Sequence, residues 1–97
     1  MKYIVDIDGT ICTTVDGDYE NSVPLPGHIE KINKLYGDGH YITYWTARGS
    51  ASGRDWSDLT HRQLKNWGCM YHSLILKKPV YDVWIDDKAV FSGDFFK

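Results

Sequence analysis

Apolar and polar positions along the chain follow two different periods. Short runs rich in β-branched and aromatic residues predict four strands, at residues 2–7, 40–45, 73–76 and 80–85. Apolar residues that return every three or four positions predict two amphipathic helices, at residues 26–36 and 55–67. Pro26 presets the start of the first helix, and Gly68 ends the second. The pattern is therefore that of a mixed α/β protein.

The segments between these elements are predicted to be short and polar. Residues 11–23 contain an Asp16-Gly17 turn between β-prone flanks, which predicts a small flap after the first strand. Residues 46–53 and 77–79 predict loops that follow the second and third strands. Residues 88–97 predict a helical turn and a tail that packs on the body through its phenylalanines.

Strands that alternate with helices of this length predict a parallel sheet, because each connection must pass over a face of the sheet. We expect an α/β fold with about four parallel strands in the order 3-2-1-4, forming one domain over residues 1–97. Right-handed crossovers place the loops that follow the strands at one edge, where open α/β sheets bind ligands.

All four predicted strands end in acidic, hydroxyl or cationic residues. These are Asp6, Asp8, Thr10, Thr46, Arg48, Lys77, Lys78, Asp86 and Asp87. A parallel sheet would gather them in one crevice, where four carboxylates repel one another unless a cation neutralises them. Oxygen ligands without histidine or cysteine favour Mg²⁺ over a transition metal. The strand ends therefore predict a site for a metal and an anion.

These residues also form an ordered set of motifs. The run Asp6 to Thr10 (DIDGT), Thr46 after a hydrophobic strand, Lys78 before Pro79, and the pair Asp86-Asp87 resemble the four motifs of the haloacid dehalogenase superfamily of phosphohydrolases. The motifs WTARG (residues 45–49) and IDDKA (residues 85–89) are similar to motifs of small phosphatase-like proteins of capsule and lipopolysaccharide sugar pathways. The resemblance implies a minimal, three-layer, Rossmann-like fold with a flap. It implies no cap domain, because predicted elements fill the spaces between the motifs.

The resemblance implies catalysis through an aspartyl-phosphate. Asp6 would be the nucleophile, and Asp8 would protonate the leaving oxygen and then deprotonate the attacking water. Thr46 would hydrogen-bond the phosphoryl oxygens. Lys78 would offset charge on the nucleophile and the phosphoryl group, whereas Lys77 is expected in solvent.

The resemblance also implies the ligands of Mg²⁺. The Asp6 side chain, the main-chain carbonyl of Asp8 and an acid of the last motif would bind the ion. Asp87 is the expected acid with Asp86 in support, although the sequence leaves open which of the two touches the metal.

Further groups are candidates for substrate binding. Backbone N–H groups around Gly9, Thr10 and Ala47 would contact the phosphoryl oxygens. Arg48 and Arg54 are candidate anchors because a guanidinium binds phosphate or carboxylate in a bidentate manner. An arginine that is merely solvated in the loop is an equal alternative for both.

We therefore expect a Mg²⁺-dependent phosphatase that acts on a phosphorylated small molecule, such as a sugar phosphate of surface-polysaccharide synthesis. One alternative is a polynucleotide or nucleotide phosphatase, and another is a non-catalytic module that binds phosphate and Mg²⁺. The net charge of −2, from 11 basic and 13 acidic residues, disfavours a nucleic-acid partner. A nucleophile paired with a second acid favours an enzyme over a binding module.

Composition bounds the remaining possibilities. No run approaches a membrane span and no signal-peptide core follows Met1, so we expect a cytoplasmic protein without a membrane partner. Cys12 and Cys69 lack the spacing of a disulfide framework or a zinc site. An aromatic content of 14% in 97 residues favours a homo-oligomer. A neighbouring subunit would then cover the open pocket with its flap or tail, unless a large substrate covers it.

Overall fold

The computed structural model describes residues 1–97, which form five strands, three helices and one 3-10 turn. The strands are β1 (Lys2–Val5), β2 (Cys12–Thr13), β3 (Val23–Pro24), β4 (Tyr41–Trp45) and β5 (Ser73–Ile75). The helices are α1 (Pro26–Gly37), α2 (Ser57–Asn66) and α3 (Ser92–Phe95), and the 3-10 turn is Tyr19–Asn21. Most predicted elements are confirmed, with ends that differ by a few residues.

The central sheet is parallel. Its order is β1-β4-β5, which is the order predicted for the first three strands. Val5 pairs with Tyr44, and Tyr44 pairs with Leu74, so the three strands end at a common edge. The predicted flap is an antiparallel ribbon of β2 and β3 that lies between β1 and α1 in the chain. The polar strand ends therefore meet, as the parallel arrangement predicts.

One face of the sheet forms the core. Paired residues share a face, so Val5 and Tyr44 point to the same side of the sheet. They belong to a buried cluster that also contains residues of α1 and α2, namely Ile29, Ile32 and Leu64. Burying one such aliphatic side chain contributes about 1.5–3 kcal/mol. Both long helices are therefore held against this face.

The opposite face of the sheet has no helix packed on it. Ile4 points away from the core face and is 67% exposed. Tyr41 and Ile75, on the same side of β4 and β5, are also exposed. The predicted third layer is therefore missing from the single chain.

The prediction of a fourth strand at residues 80–85 is wrong for this chain. The residues are exposed and pair with no strand, so the order 3-2-1-4 is not formed. The N–H of Thr46 donates to the carbonyl of Ile75, and that of Lys78 donates to the carbonyl of Thr46, so β5 pairing extends to Lys78. A parallel strand beside β1 must start at the opposite end of the sheet, and such a crossover needs about a dozen residues. The strand-like composition is present, but the connection is too short.

The carboxyl-terminal tail packs on α1, as predicted. The ring of Phe96 stacks on His28 with centroids 4.0 Å apart, and the Lys31 ammonium lies 4.2 Å from the ring centroid of Phe95. No helix in the structure has the length and apolar character that crossing a membrane requires.

Candidate active site

A cleft of about 340 Å³ opens at the carboxyl ends of β1, β4 and β5. Its walls come from the end of β1, the flap and the loops after β4 and β5, including Asp6, Asp8, Thr14, Tyr19, Arg48 and Lys78. Residues far apart in the chain thus converge here because parallel strands end at the same edge. This cleft is the candidate site.

Asp6 is the most available carboxylate in the cleft, with a side chain that is 35% exposed. The Thr10 hydroxyl donates to its Oδ2 at 3.0 Å, and the Lys78 Nζ lies 3.5 Å from its Oδ1. Thr10 reaches back because the chain reverses after β1, with Gly9 at φ +82° and the N–H of Thr10 donating to the carbonyl of Ile7. The turn therefore orients one oxygen toward each partner and leaves the group open to the cleft.

Asp8 is held very differently. Arg48 binds it in a bidentate manner, with Nε to Oδ2 at 3.0 Å and Nη2 to Oδ1 at 2.9 Å. The Thr14 hydroxyl of the flap also donates to Oδ1, at 2.6 Å. Partial burial raises the pKa of Asp8, but the hydrogen bonds from Arg48 and Thr14 outweigh it, and the pKa lies below its ordinary value. Asp8 is thus ionised near neutral pH.

Arg48 is 1% exposed and is fixed by α2. Its Nη1 donates to the Thr60 hydroxyl at 3.1 Å and to the Gln63 carbonyl oxygen at 2.5 Å, and its guanidinium lies 4.7 Å from the ring centroid of Tyr19. Two of its nitrogens are paired with Asp8, although Arg48 also lines the cleft. Arg48 therefore positions Asp8, and its role as a substrate anchor stays a prediction.

Thr46 and Ala47 occupy different positions in the loop after β4. Thr46 is fully buried, and its Oγ1 accepts a hydrogen bond from the backbone N–H of Arg48 at 3.1 Å. Ala47 lines the cleft. Thr46 therefore shapes the loop that carries Arg48, and it does not form part of the cleft wall.

Of the two adjacent lysines, the structure brings Lys78 to Asp6. Its ammonium lies 5.2 Å from the ring centroid of Tyr81 and 5.7 Å from that of Trp45, so aromatic faces guide the side chain. Lys77 has a left-handed backbone at φ +67° and is exposed. The turn at Lys77 thus directs its neighbour into the cleft.

Six of the predicted site residues do not line the cleft: Gly9, Thr10, Thr46, Arg54, Asp86 and Asp87. Arg54 is exposed and stacks on Trp56, with its guanidinium 4.0 Å from the ring centroid. Asp86 and Asp87 are exposed in the chain after residue 85. The backbone N–H of Lys88 donates to Asp86 at 2.7 Å, which lowers the pKa of that carboxyl. The expected convergence of all four carboxylates does not occur within one chain, because the strand that would carry the last two is not formed.

The single chain shows no preformed Mg²⁺ site. No group of three or more acidic, histidine or cysteine side chains is placed to hold a metal ion. The negative charges of Asp6 and Asp8 are balanced by the positive charges of Lys78 and Arg48. Mg²⁺ is usually held by one or two carboxylates together with waters and substrate phosphate, so at Asp6 it would compete with Lys78.

Several contacts of the candidate site were missed from the sequence. Thr14 and Tyr19 of the flap touch Asp8 and Arg48, and Thr60 and Gln63 hold Arg48 from α2. A signal was present, because Thr60 and Gln63 are polar residues at helical spacing on the same side of the helix as the buried Leu64. Polar residues on a buried helix face need a partner, which points to a buried charge.

No family model and no curated protein matches the chain. A crystal structure of a structural-genomics target from Vibrio cholerae is similar to it, with a TM-score of 0.87, 27% identity and coverage of 98% of this chain and 86% of that chain. The D,D-heptose 1,7-bisphosphate phosphatase from B. bronchiseptica, complexed with magnesium and phosphate, is similar with a TM-score of 0.56 and 23% identity. That match covers 77% of this chain and 48% of the phosphatase. The chain therefore has a haloacid dehalogenase-like fold.

Proposed function

We propose that the protein is a phosphohydrolase that cleaves a phosphate monoester of a small molecule, with Asp6 as the nucleophile. The observation that carries this proposal is the placement of Asp6. Its carboxylate faces the cleft between the hydroxyl of Thr10 and the ammonium of Lys78, and no guanidinium occupies it. The likeness in fold to a phosphatase that was crystallised with magnesium and phosphate supports the proposal.

In this proposal the reaction has two displacements. An Asp6 oxygen attacks phosphorus while the bond from phosphorus to the leaving oxygen breaks, which gives an aspartyl-phosphate. Water then attacks the same phosphorus, the bond to Asp6 breaks, and inorganic phosphate leaves. Lys78, 3.5 Å from Asp6, offsets the negative charge that gathers on the phosphoryl group in both displacements.

Asp8 is the candidate for proton transfer, since its carboxylate lines the same cleft. Its ion pair with Arg48 keeps it ionised, and an ionised carboxylate is the form that takes a proton from the attacking water. In the first displacement a proton from solvent reaches the leaving oxygen through Asp8, and in the second Asp8 returns the proton of the attacking water to solvent, which completes the cycle. The backbone around Gly9, Thr10 and Ala47 is proposed to contact the phosphoryl oxygens.

Magnesium belongs to the proposal as a requirement for activity. The ion would supply positive charge against the phosphoryl oxygens. Because the charges in the cleft already balance, we expect it to bind more tightly when a further carboxylate joins Asp6. The cleft of about 340 Å³ suits a small phosphorylated molecule, and a sugar phosphate is the class that we propose.

The experiment is phosphate release from a panel of sugar phosphates, nucleotides and an aryl phosphate, with and without Mg²⁺. We expect wild type to release phosphate and Asp6→Asn to lose at least about a thousandfold in kcat, since its amide cannot act as the nucleophile. Asp38→Asn is the matched control because Asp38 is exposed after α1, and it should keep wild-type activity. Turnover by Asp6→Asn would contradict the nucleophile, and a substrate preference for nucleotides would change the proposed substrate class.

A further inference from the structure

The sheet has an unpaired strand at its edge. β1 pairs only with β4, so the other side of its backbone has no partner. Natural edge strands are normally blunted by shortness, charged side chains, proline, bulges or a covering element. β1 begins with Lys2 but contains no proline, and Ile4 exposes an apolar side chain on the face beside this edge. An edge of this kind is a template for another strand.

The same chain carries a strand-forming segment without a partner, residues 80–85 (VYDVWI). Its composition is nearly all β-branched and aromatic, which is typical of a strand buried in a parallel sheet. In the structure its residues are exposed, Ile85 to 92%, and it contacts the body through Trp84, 5.7 Å from the ring of Trp45, and Tyr81, beside Lys78. The chain thus holds both an empty position in a sheet and a segment suited to fill it.

The segment cannot fill that position in its own molecule in the parallel direction. Lys78 lies at the carboxyl end of the sheet, bonded to Thr46. Val80 is only two residues further on, which is a reach of at most about 7 Å. Starting a parallel strand beside β1 requires a return of about 13 Å along the strands and about 14 Å sideways. The connection between Lys78 and Val80 is therefore far too short to span the distance to the open edge of β1.

We propose that two copies of the chain exchange this segment, so that residues 80–87 of each copy add a parallel strand to the open edge of β1 in the other. A second copy is the partner because the edge and the segment are complementary parts of one sequence, and a twofold axis then satisfies both copies at once. This accounts for the missing fourth strand.

One register satisfies several contacts together. Setting Asp86 beside Asp6 of the other copy places Trp84 beside Ile4, so the indole covers the bare face. Val83 and Ile85 then point to the core side with Val5. Asp82 falls opposite Lys2, which is a favourable cross-strand pair of opposite charges. Neither an antiparallel addition nor a shift by one residue preserves this set.

The exchange completes the candidate site. In the parallel direction, Asp86 and Asp87 of the second copy arrive at the carboxyl edge, next to Asp6 and Asp8. They add negative charge and oxygen ligands beside Asp6, which a single chain lacks and which favour Mg²⁺ binding. This consequence rests on the proposed function, whereas the exchange itself rests on the sheet edge, the segment and the short connection.

The assembly is tested first without any activity measurement. We expect wild type to sediment as a dimer at micromolar concentration and Val83→Asp as a monomer, because the new charge would enter the core side of the added strand. Val15→Asp is the matched control, since Val15 is 73% exposed and Val83 is 74% exposed, and it should remain a dimer. A monomeric wild type would overturn the proposal.

A disulfide tests the register. The double variant Ile4→Cys with Trp84→Cys should form a crosslinked dimer on oxidation, because directly opposite residues have Cβ atoms about 5 Å apart. Each single variant is the control and should form far less of the crosslinked dimer. If the protein is a dimer but the double variant crosslinks no better than the single variants, the dimer uses another surface and the proposed exchange is wrong.

Mixing of two variants tests whether the site is shared. Asp6→Asn lacks the nucleophile, and the double variant Asp86→Asn with Asp87→Asn lacks the acid pair, so each should be inactive alone. After joint unfolding and refolding, a mixed dimer has one site with both parts intact, and roughly a quarter of wild-type activity should return. If the two variants fold and form mixed dimers but no activity returns, the acids are not shared between the copies. A dimeric wild type without phosphatase activity, together with a double cysteine variant that crosslinks, would instead contradict the phosphohydrolase and leave the exchange standing.

Discussion

The contact between Asp8 and Arg48 decides the chemistry of the cleft at the scale of single residues. The side chain of Arg48 is fully buried, with 0% exposure. Its charge is balanced by Asp8, whose side chain is 25% exposed. A buried guanidinium without its carboxylate is strongly destabilising, at about 3–5 kcal/mol. The pair is thus both a structural requirement and the reason that Asp6, and not Asp8, is left open to the cleft.

This ion pair predicts a specific dependence of stability on pH. The pKa of Asp8 in the folded protein lies below its ordinary value of 3.8, so the stabilisation is fully present above that value and is lost as the pH falls through the folded pKa. We expect the melting temperature of wild type to exceed that of Asp8→Asn at neutral pH, with a gap that narrows below about pH 4. Melting curves from pH 7 downward check this. A gap that stays constant over the acid range would contradict the assignment.

At the scale of secondary-structure elements, α2 connects the flap to the loop after β4. Gln63 accepts from the Arg48 Nη1, and its own amide donates to the carbonyl of Tyr19, each at 2.5 Å. One buried side chain therefore ties three elements together around Asp8. The flap is positioned by this contact as well as by its two-stranded ribbon.

Gln63→Ala is expected to lower the free energy of unfolding by about 2 kcal/mol, because it removes a hydrogen bond to a buried charge and leaves a carbonyl without its donor. Asn66→Ala, on the exposed side of the same helix, should change it by less than about 0.5 kcal/mol. Urea unfolding of both variants measures the difference. Equal effects would mean that α2 does not hold Arg48 in solution.

The limits of sequence-based prediction also appear at this scale. Strand composition and helical spacing are local, and they located β1, β4, β5, α1 and α2 and the meeting of Asp6, Asp8 and Lys78 at one edge. The pairing of Arg48 depends on which side of α2 faces inward, which the spacing of Thr60 and Gln63 only hints at. The fate of residues 80–85 depends on a three-dimensional distance between strand ends, and no local pattern encodes it.

At the scale of the whole molecule, the chain is one helical layer on a three-stranded sheet whose second face carries no helix and is only partly covered, by Trp84 on Trp45. A parallel sheet is normally covered on both faces, because its strands are apolar on both. The exposed Ile4, Tyr41 and Ile75 lie on this face, so the single chain leaves apolar surface in water that a second copy would cover. The proposed exchange thus addresses the packing of the sheet and the composition of the site together.

The length of the connection after Lys78 is the physical cause of the exchange, so lengthening it should reverse the assembly. An insertion of about fourteen Gly and Ser residues between Pro79 and Val80 gives the chain enough length for a crossover to its own β1 edge. We expect this variant to sediment as a monomer and to release phosphate without a second copy, because its acid pair and nucleophile then lie in one chain. The same insertion between Asp16 and Gly17 of the flap is the control and should leave a dimer. A lengthened variant that remains a dimer would show that the short connection is not what drives two copies together.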